Sequence, residues 1–554
     1  MAMNKKITFS ILFAFIFCLF QNNSAQTFKY FVSFKNKTGT PYSISTPSAY
    51  LSPKSILRRT NQGIAINQTD LPVTPSYVAQ VAAVASTTVL YRSKWLNGVM
   101  VQATPAAITT INSYTFVNSS LKANKVKVTL PYKNTTIPSN SDAKVTNTTS
   151  YNYGPSYWQQ KMIQADCLHN QGYRGQGMTI AVMDIGFYDI QNNPVFDSLF
   201  NENRLLGTRD FVNGDTLVFE DPSELHGVMC LSTMAGNKPG SIVGTAPKAK
   251  YWLLKTEDGY SESITEEYNW VRAVEFADSV GADITSTSLI YNQFDGGLND
   301  HVYATDLNGK TAPMSIAANM AARKGMIVLN GAGNDGSSAW YYIDVPADAD
   351  SIIAVGAVDS LGAHASFSSY GPSADGRIKP DLSTRGANAY VCSAGASCFY
   401  GNGTSFATPI LAGATACLWQ YKNFAKNMQI ISAMKNTASN SSSPNNSIGW
   451  GIPQMCNAAT LLGGVGIKEI ENDEDVSVFP NPVKDELNIS FNSKLNFPVH
   501  IKIVDVLGKE VFSQQYNSGS RINIKEVSKL ESGFYTLNII SNEKNISKKF
   551  SKIN

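Results

Sequence analysis

Apolar and polar positions change rhythm along the chain, and each change marks a new kind of unit. From Phe28 to about Leu130, short β-rich runs flank helical ones. FKYFVSF reads as a strand, YVAQVAAVA as a helix, and STTVLYRSKWLNGVMVQAT as two strands around an Asn97-Gly98 turn. That predicts a small α+β unit. From about Pro131 to Tyr153 the periodicity stops in a Lys, Asn, Thr and Ser-rich stretch, which has the composition of a linker open to proteolytic nicking.

Between about Gly154 and Leu462, brief apolar runs recur: Met178 to Met183, Lys250 to Lys255, Asp283 to Leu289, Met326 to Leu329 and Ile352 to Val358. Runs this short and this apolar suit strands covered on both faces, hence a parallel sheet. Helical spacing appears between them, over Ser263 to Val280 with a Ser263/Glu266 capping box, and over Ala312 to Lys324, stopped by Gly325. The prediction is an α/β domain, layered around a mostly parallel central sheet. After the Gly463-Gly464 hinge and an acidic run, the last eighty or so residues return to alternation with Pro, Asn and Gly turns. This is the pattern of a small β-sandwich.

A chain of 554 residues exceeds one core, so several domains are expected. The net charge of +3 is small and the basic residues are dispersed, which argues against a nucleic-acid partner. Lys5 and Lys6 precede the apolar run Ile7 to Phe20, and Asn-Ser-Ala25 offers a cleavage point: a secretory signal over residues 1–25. No later stretch is long and apolar enough to suggest a membrane span in the mature chain. Beyond the signal, Cys392 and Cys398 flank a short Gly/Ala/Ser loop and either pair in an oxidising compartment or stay as buried thiols. Cys230 and Cys417 fall on apolar helix faces as packed free thiols. The chain has no C-x-x-C and no H-E-x-x-H, so a zinc site has no support.

The candidate chemistry centres on Asn402 to Pro409, NGTSFATP, where Ser405 meets the start of a small-residue helix. Orphan N–H groups there favour developing negative charge. A nucleophilic serine needs a base, an orienting carboxylate and oxyanion donors. Of the five histidines, His226 alone opens a buried, small-residue helix, in HGVMCLSTMAG. Asp184 ends the strand MTIAVMDIG, and Asn334 lies on the glycine-rich turn GAGNDG after another strand.

Asp184, His226, Asn334 and Ser405, in this order and in the contexts AVMDIGF, LHGVMCLSTMAG, GAGNDG and NGTSFATP, resemble the subtilisin-like serine proteases, the subtilases. The resemblance implies Asp184, His226 and Ser405 as a catalytic triad and Asn334 as an oxyanion donor. Ser288, Leu289, Ile290, Gly331, Ala332 and Gly333 would then line the substrate cleft. It implies a secreted endopeptidase that needs no cofactor for its chemistry. Calcium is a structural option in resembling enzymes. Here the loop with Asp210, Asp215, Glu220, Asp221 and Glu224 lacks a recognised calcium spacing and reads as solvated. Glu257 and Asp258 are expected near the cleft.

The flanking units resemble a subtilase propeptide, acting as an intramolecular inhibitor, and a type IX secretion sorting domain, the latter on FPNP, IVDVLGKEV and the terminal KKFSK. The expected layout is a signal over 1–25, propeptide 26–130, linker and processing site 131–153, catalytic domain 154–462, linker 463–474 and sorting module 475–554. Export would run through the periplasm and the type IX machinery to the cell surface or beyond. Two departures stand out. Val228-Met229 replaces the usual Thr-His after His226-Gly227, and Ile290 stands where the family's cleft strand commonly has glycine, which would narrow or reshape the cleft. A binding protein with a dead protease fold would have shown a lost triad member, and an α/β-hydrolase esterase would need a Gly-x-Ser-x-Gly elbow. Neither feature is found.

Overall fold

The computed structural model describes residues 26–123, 151–463, 476–491, 498–505, 509–540 and 545–553, apart from the side chains of 545–547. The signal, most of the linker over 131–153 and all of the 463–474 hinge but Gly463 fall outside these residues.

In the N-terminal unit, alternation decides which side chains face which partner. Strands β1 (Phe28–Phe34), β2 (Thr87–Ser93), β3 (Gly98–Ala103) and β4 (Val117–Lys122) form an antiparallel sheet in the order β2-β3-β1-β4. Helix α1 is Pro53–Gln62, α2 Pro75–Ala82 and α3 Pro105–Asn112. Tyr30, Val32 and Phe34 pack with Val78, Val81, Ile108 and Ile111 of α2 and α3. Phe31 and Met100 face the other way, into the core of the middle domain, where the Phe31 ring stacks on Tyr268 at 4.4 Å.

No apolar rhythm predicts α1, because the residues it buries are Ser55, Arg58, Arg59 and Gln62. It docks through charge instead. Arg58 reaches Asp278 at 2.5 Å; Arg59 bridges Asp278 (2.8 Å) and Asp70 (2.9 Å); Lys324 closes the network on Asp70 at 2.7 Å. Nearby, buried Glu275 accepts from Ser93 Oγ at 2.6 Å and from the Lys94 and Trp95 amides at 3.0 Å. Burial opposes ionisation of Asp278, but Arg58, Lys94 and Arg59 outweigh it and hold the carboxyl below its usual range. Asp70 is lowered in the same way, against burial, chiefly by Lys324.

The middle domain is built on seven parallel strands: β5 (Thr179–Asp184), β6 (Leu205–Asp210), β7 (Lys250–Lys255), β8 (Ile284–Thr287), β9 (Ile327–Gly331), β10 (Ile353–Val358) and β11 (Leu382–Arg385). Their order is β11-β10-β9-β8-β5-β7-β6. Helices cover both faces: α4 (His226–Ala235) and α7 (Thr404–Tyr421) on one, α5 (Ile264–Val280) and α6 (Pro313–Arg323) on the other. Ile180 and Val182 of β5 join the α4/α7 layer, and Ala181 and Met183 the α5/α6 layer. Both faces are therefore apolar, as the short runs require. At the start of α5 the expected capping box is present, Glu266 Oε2 accepting from the Ser263 amide at 3.0 Å. The edge strands β6 and β11 carry too weak an apolar signal to stand out in sequence.

Cys392 and Cys398 are joined, closing the ribbon Ala389–Cys392/Cys398–Gly401, and a second disulfide links Cys167 to Cys456 across 289 residues. Cys230 and Cys417 are free and buried. Residues from Gly463 onward form a separate unit. In it, β12 (Val476–Phe479), β13 (Leu487–Phe491) and β16 (Arg521–Ile524) make one antiparallel sheet. The strands β14 (Val499–Val504), β15 (Glu510–Tyr516), β17 (Gly533–Ile540) and β18 (Asn545–Lys552) make another. Leu487, Ile489, Ile501, Ile503, Leu537 and Ile539 fill the core between them.

Asp278→Ala removes the carboxylate partner of buried Arg58 and one of the two partners of Arg59, and we expect it to lower the stability of the unprocessed protein by about 3–5 kcal/mol, read by thermal unfolding in a Ser405→Ala background. Because Asp70 and Asp278 are depressed relative to the unfolded chain, their stabilisation is complete above about pH 4 and is lost as pH falls through the lower folded values.

Candidate active site

The chain reverses its direction across the sheet between β5 and β8, and at such a point the carboxyl ends of the strands leave a crevice. Asp184 is the last residue of β5, and Ser288 follows the end of β8. His226 begins α4 directly above. Its neighbour Gly227 allows this: a Cβ there would lie 2.1 Å from the Gly186 carbonyl oxygen, so any side chain would lift α4 from the end of β5.

Asp184 Oδ1 lies 2.7 Å from His226 Nδ1 and also accepts from the Ile185 amide at 2.9 Å. Asp184 is fully buried and its Oδ2 has no partner among the described residues. Burial disfavours the imidazolium, but the Asp184 carboxylate, with a smaller contribution from Cys230, raises the His226 pKa well above its ordinary value.

Ser405 is the second residue of α7, so its amide belongs to the unpaired first turn. Its carbonyl is gripped from two sides, by Ser288 Oγ at 2.8 Å and Cys230 Sγ at 3.3 Å. Its Oγ lies 3.5 Å from the Ser288 carbonyl and makes no hydrogen bond with His226 among the described residues. Asn334 is fixed through its oxygen. Oδ1 accepts from the Thr404 amide at 2.9 Å and from Thr404 Oγ1 at 3.1 Å. Since that backbone N–H requires an acceptor, the Asn334 amide must turn its NH₂ away from Thr404, toward the open side of the residue.

Two rails border the crevice. Ser288 and Leu289 are buried and Ile290 half-buried on one; Gly331, Ala332 and Gly333 are buried on the other. Asn330 Nδ2 donates to the Leu289 carbonyl at 3.2 Å and ties the rails together. The last described residue of the N-terminal unit, Ala123, is buried against the first turn of α5, its carbonyl accepting from Thr265 Oγ1 at 2.6 Å. Glu257, half-buried two residues past β7, is pushed up to about 7 by burial and then by Asp184.

Among the described residues, one group of side chains has the spacing of metal ligands: Asp184, His226 and Cys230. Two of its ligand atoms are already engaged. Nδ1 is bonded to Asp184, and Cys230 Sγ donates to the Ser405 carbonyl. The acidic loop does not form a cage either. Asp210 caps the amides of Val212 and Asn213, Asp215 that of Leu217 and Asp221 that of Ser223; Glu224 pairs with Lys255.

The other histidines are engaged in structural contacts: His169 between Tyr153 and Thr245, His301 on Glu267, His364 beside the Tyr370 ring and His500 with Ser513. Sequence reasoning missed the Ser288 and Cys230 grip on Ser405 and the anchoring of Asn334 by Thr404. These contacts join segments far apart in the chain through residues that individually read as core or turn.

The family model of the subtilases, Peptidase S8, matches residues 175–451. The model of the Bacteroidota Peptidase S8 propeptide domain matches 29–141, and that of a secretion system C-terminal sorting domain matches 477–553. Subtilisin NAT of Bacillus subtilis subsp. natto and subtilisin E of Bacillus subtilis (strain 168) are each 31% identical over 279 residues, 50% of this chain. The match spans 64% of the length of each of these two relatives. The subtilisin of Bacillus pumilus is also 31% identical over 279 residues, 89% of its own length.

The Asp184 contact sets a titration prediction. The imidazolium pairing contributes in full below about pH 6.5 and fades as pH rises through the higher folded value. NMR of the His226 ring in the Ser405→Ala protein should show this raised value, and Asp184→Asn should lower it. An unchanged titration in Asp184→Asn would contradict the pairing.

Proposed function

The chain belongs to the subtilase family, and from that premise we propose that it is a secreted serine endopeptidase, made as a zymogen and exported by its C-terminal sorting domain. The observation that carries this reading is the hydrogen bond between buried Asp184 and His226 Nδ1 at the sheet edge where Ser405 starts its helix.

In this reading Asp184 holds the imidazole with Nδ1 protonated, leaving Nε2 as the base. Rotation of the Ser405 side chain away from the Ser288 carbonyl brings Oγ to Nε2; such bonds are commonly loose before substrate binds. Oγ attacks the scissile carbonyl as Nε2 takes its proton. The oxyanion receives N–H from the Ser405 amide and from Asn334 Nδ2, whose orientation Thr404 sets. His226 then protonates the leaving amine, and water enters by the same route to free the acyl group from Ser405. No cofactor is needed for these steps.

Residues 26–130 are the inhibitory propeptide, 131–153 the processed linker, 154–462 the catalytic domain, 463–474 a second linker and 475–554 the sorting module. Ala123 docks the propeptide tail on the first turn of α5, which supports a propeptide that stays bound to the catalytic domain. The sorting module directs the protein through the type IX machinery to the cell surface or the medium. Among the described residues no helix is long and apolar enough to cross a membrane.

Matured wild-type protein should cleave casein, and Ser405→Ala should lose about a millionfold in turnover, the figure known for subtilisin itself. Asn334→Ala should lose roughly a hundred- to a thousandfold, again a subtilisin value. Equal, negligible cleavage by matured wild type and Ser405→Ala would overturn the reading.

A further inference from the structure

Helix α1 is a complete unit with its own stops. Ser52 caps its start, Oγ accepting from the Ser55 amide at 3.2 Å; Pro53 opens the first turn, and Gly63 ends the last at a φ of +70°. Its arginines enter a recess of the middle domain that the reaction above does not use. Arg58 Nη2 donates to Asp278 Oδ1 at 2.5 Å and to the Asp278 carbonyl at 3.4 Å. Arg58 Nη1 donates to the Ala282 carbonyl, and Nε to the Lys324 carbonyl at 3.3 Å. Arg59 meets both oxygens of the same carboxylate, at 2.9 and 2.8 Å. One turn on, Gln62 donates to the Gly325 carbonyl at 2.7 Å and accepts from the Asn427 amide at 3.1 Å. Lys54, a turn earlier, pairs with Asp283 at 2.7 Å.

This recess is built to receive positive charge. Asp278 lies in the last turn of α5, and Lys324 and Gly325 follow α6, so the negative ends of two helices converge there. Glu275, Asp278 and Asp283 add three carboxylates, while the Lys324 ammonium is turned to Asp70 of the N-terminal unit. Among the described residues, the hydrogen bonds and ion pairs of the Asp278 carboxylate run to Arg58, Arg59 and Lys94, all in that unit. Excision of residues 26–130 removes these partners together, while α5 and α6 keep the acceptors where they are. The acceptors call for arginine: one planar guanidinium reaches four of them through three nitrogens, which a point-like ammonium cannot do. The recess also lies at the far end of the sheet from the triad. Asp283 precedes β8 and accepts from the amide of Thr179, the first residue of β5, at 2.8 Å, whereas Asp184 and Ser288 stand at the other ends of these two strands.

We propose that this recess is an exosite of the processed catalytic domain, taking a helix with two adjacent arginines from a protein ligand, and that α1 occupies it until the N-terminal unit is removed. The proposal rests on the reading of residues 26–130 as an excised propeptide. Helix α1 shows the form of the ligand: a capped helix with arginines at adjacent positions and an amide side chain one turn on. Because the recess and the triad sit at opposite ends of β5 and β8, a ligand bound there leaves the cleft open.

The probe is a peptide of residues 52–63 with a hydrocarbon bridge joining positions 57 and 61, both exposed on α1, to hold it helical. It is titrated by fluorescence anisotropy into matured protein, purified free of residues 26–130 and sulfonylated at Ser405. Saturable binding is the expected result, weakened at least about thirtyfold by Arg58→Ala in the peptide and also by Arg58→Lys. Asp278→Asn in the protein should weaken binding as Arg58→Ala does; if that variant does not mature, the peptide series decides. In active protein, the peptide at saturation should leave cleavage of a small peptide amide unchanged. No binding, equal binding of the Arg58→Ala peptide, or competitive inhibition of cleavage overturns the exosite and leaves the peptidase reading intact. Residues 26–130 found by mass spectrometry still joined to the active chain overturn both the exosite and the zymogen reading.

Discussion

The hydrogen bond between Asp184 and His226 depends on how closely a helix can approach the end of a strand. Asp184 lies where β5 ends, and His226 where α4 begins; only the missing side chain of Gly227 lets the two backbones meet. Once they do, the buried carboxylate fixes the imidazole and raises its basicity against the cost of burial. The grip of Ser288 and Cys230 on the Ser405 carbonyl then seats α7 against the same edge. The parallel sheet supplies rigidity, and the chemistry sits where its strands stop.

A second set of charges holds the N-terminal unit in place. The interface is not purely apolar. It combines Phe31 and Met100 with a network of Arg58, Arg59, Asp70, Asp278 and Lys324, in which each charge is stabilised by the others. Loss of Asp278 leaves Arg58 as an uncompensated buried ion, so the dock is strong when whole and fragile when broken there.

Much of this was legible in sequence. The apolar runs at Met178 to Met183 and Lys250 to Lys255 match β5 and β7 closely, and Ser263 to Val280 matches α5, because burial on both faces or one face leaves a plain rhythm. The positions of Asp184, His226, Asn334 and Ser405 at strand ends and helix starts followed from local motifs. Helix α1 left no such trace, since it buries arginines whose shared partner, Asp278, lies more than two hundred residues away. The Cys167–Cys456 link escaped for the same reason. Long-range polar contacts have no period, so pattern alone does not find them.

The central claim is that His226 and Asp184 make Ser405 a nucleophile. Treating the matured protein with a sulfonyl fluoride and mapping the adduct by mass spectrometry tests it directly. We predict a single sulfonylated residue, Ser405, in wild type, with labelling abolished in His226→Ala. An unlabelled Ser405, or equal labelling in the two proteins, would contradict the account.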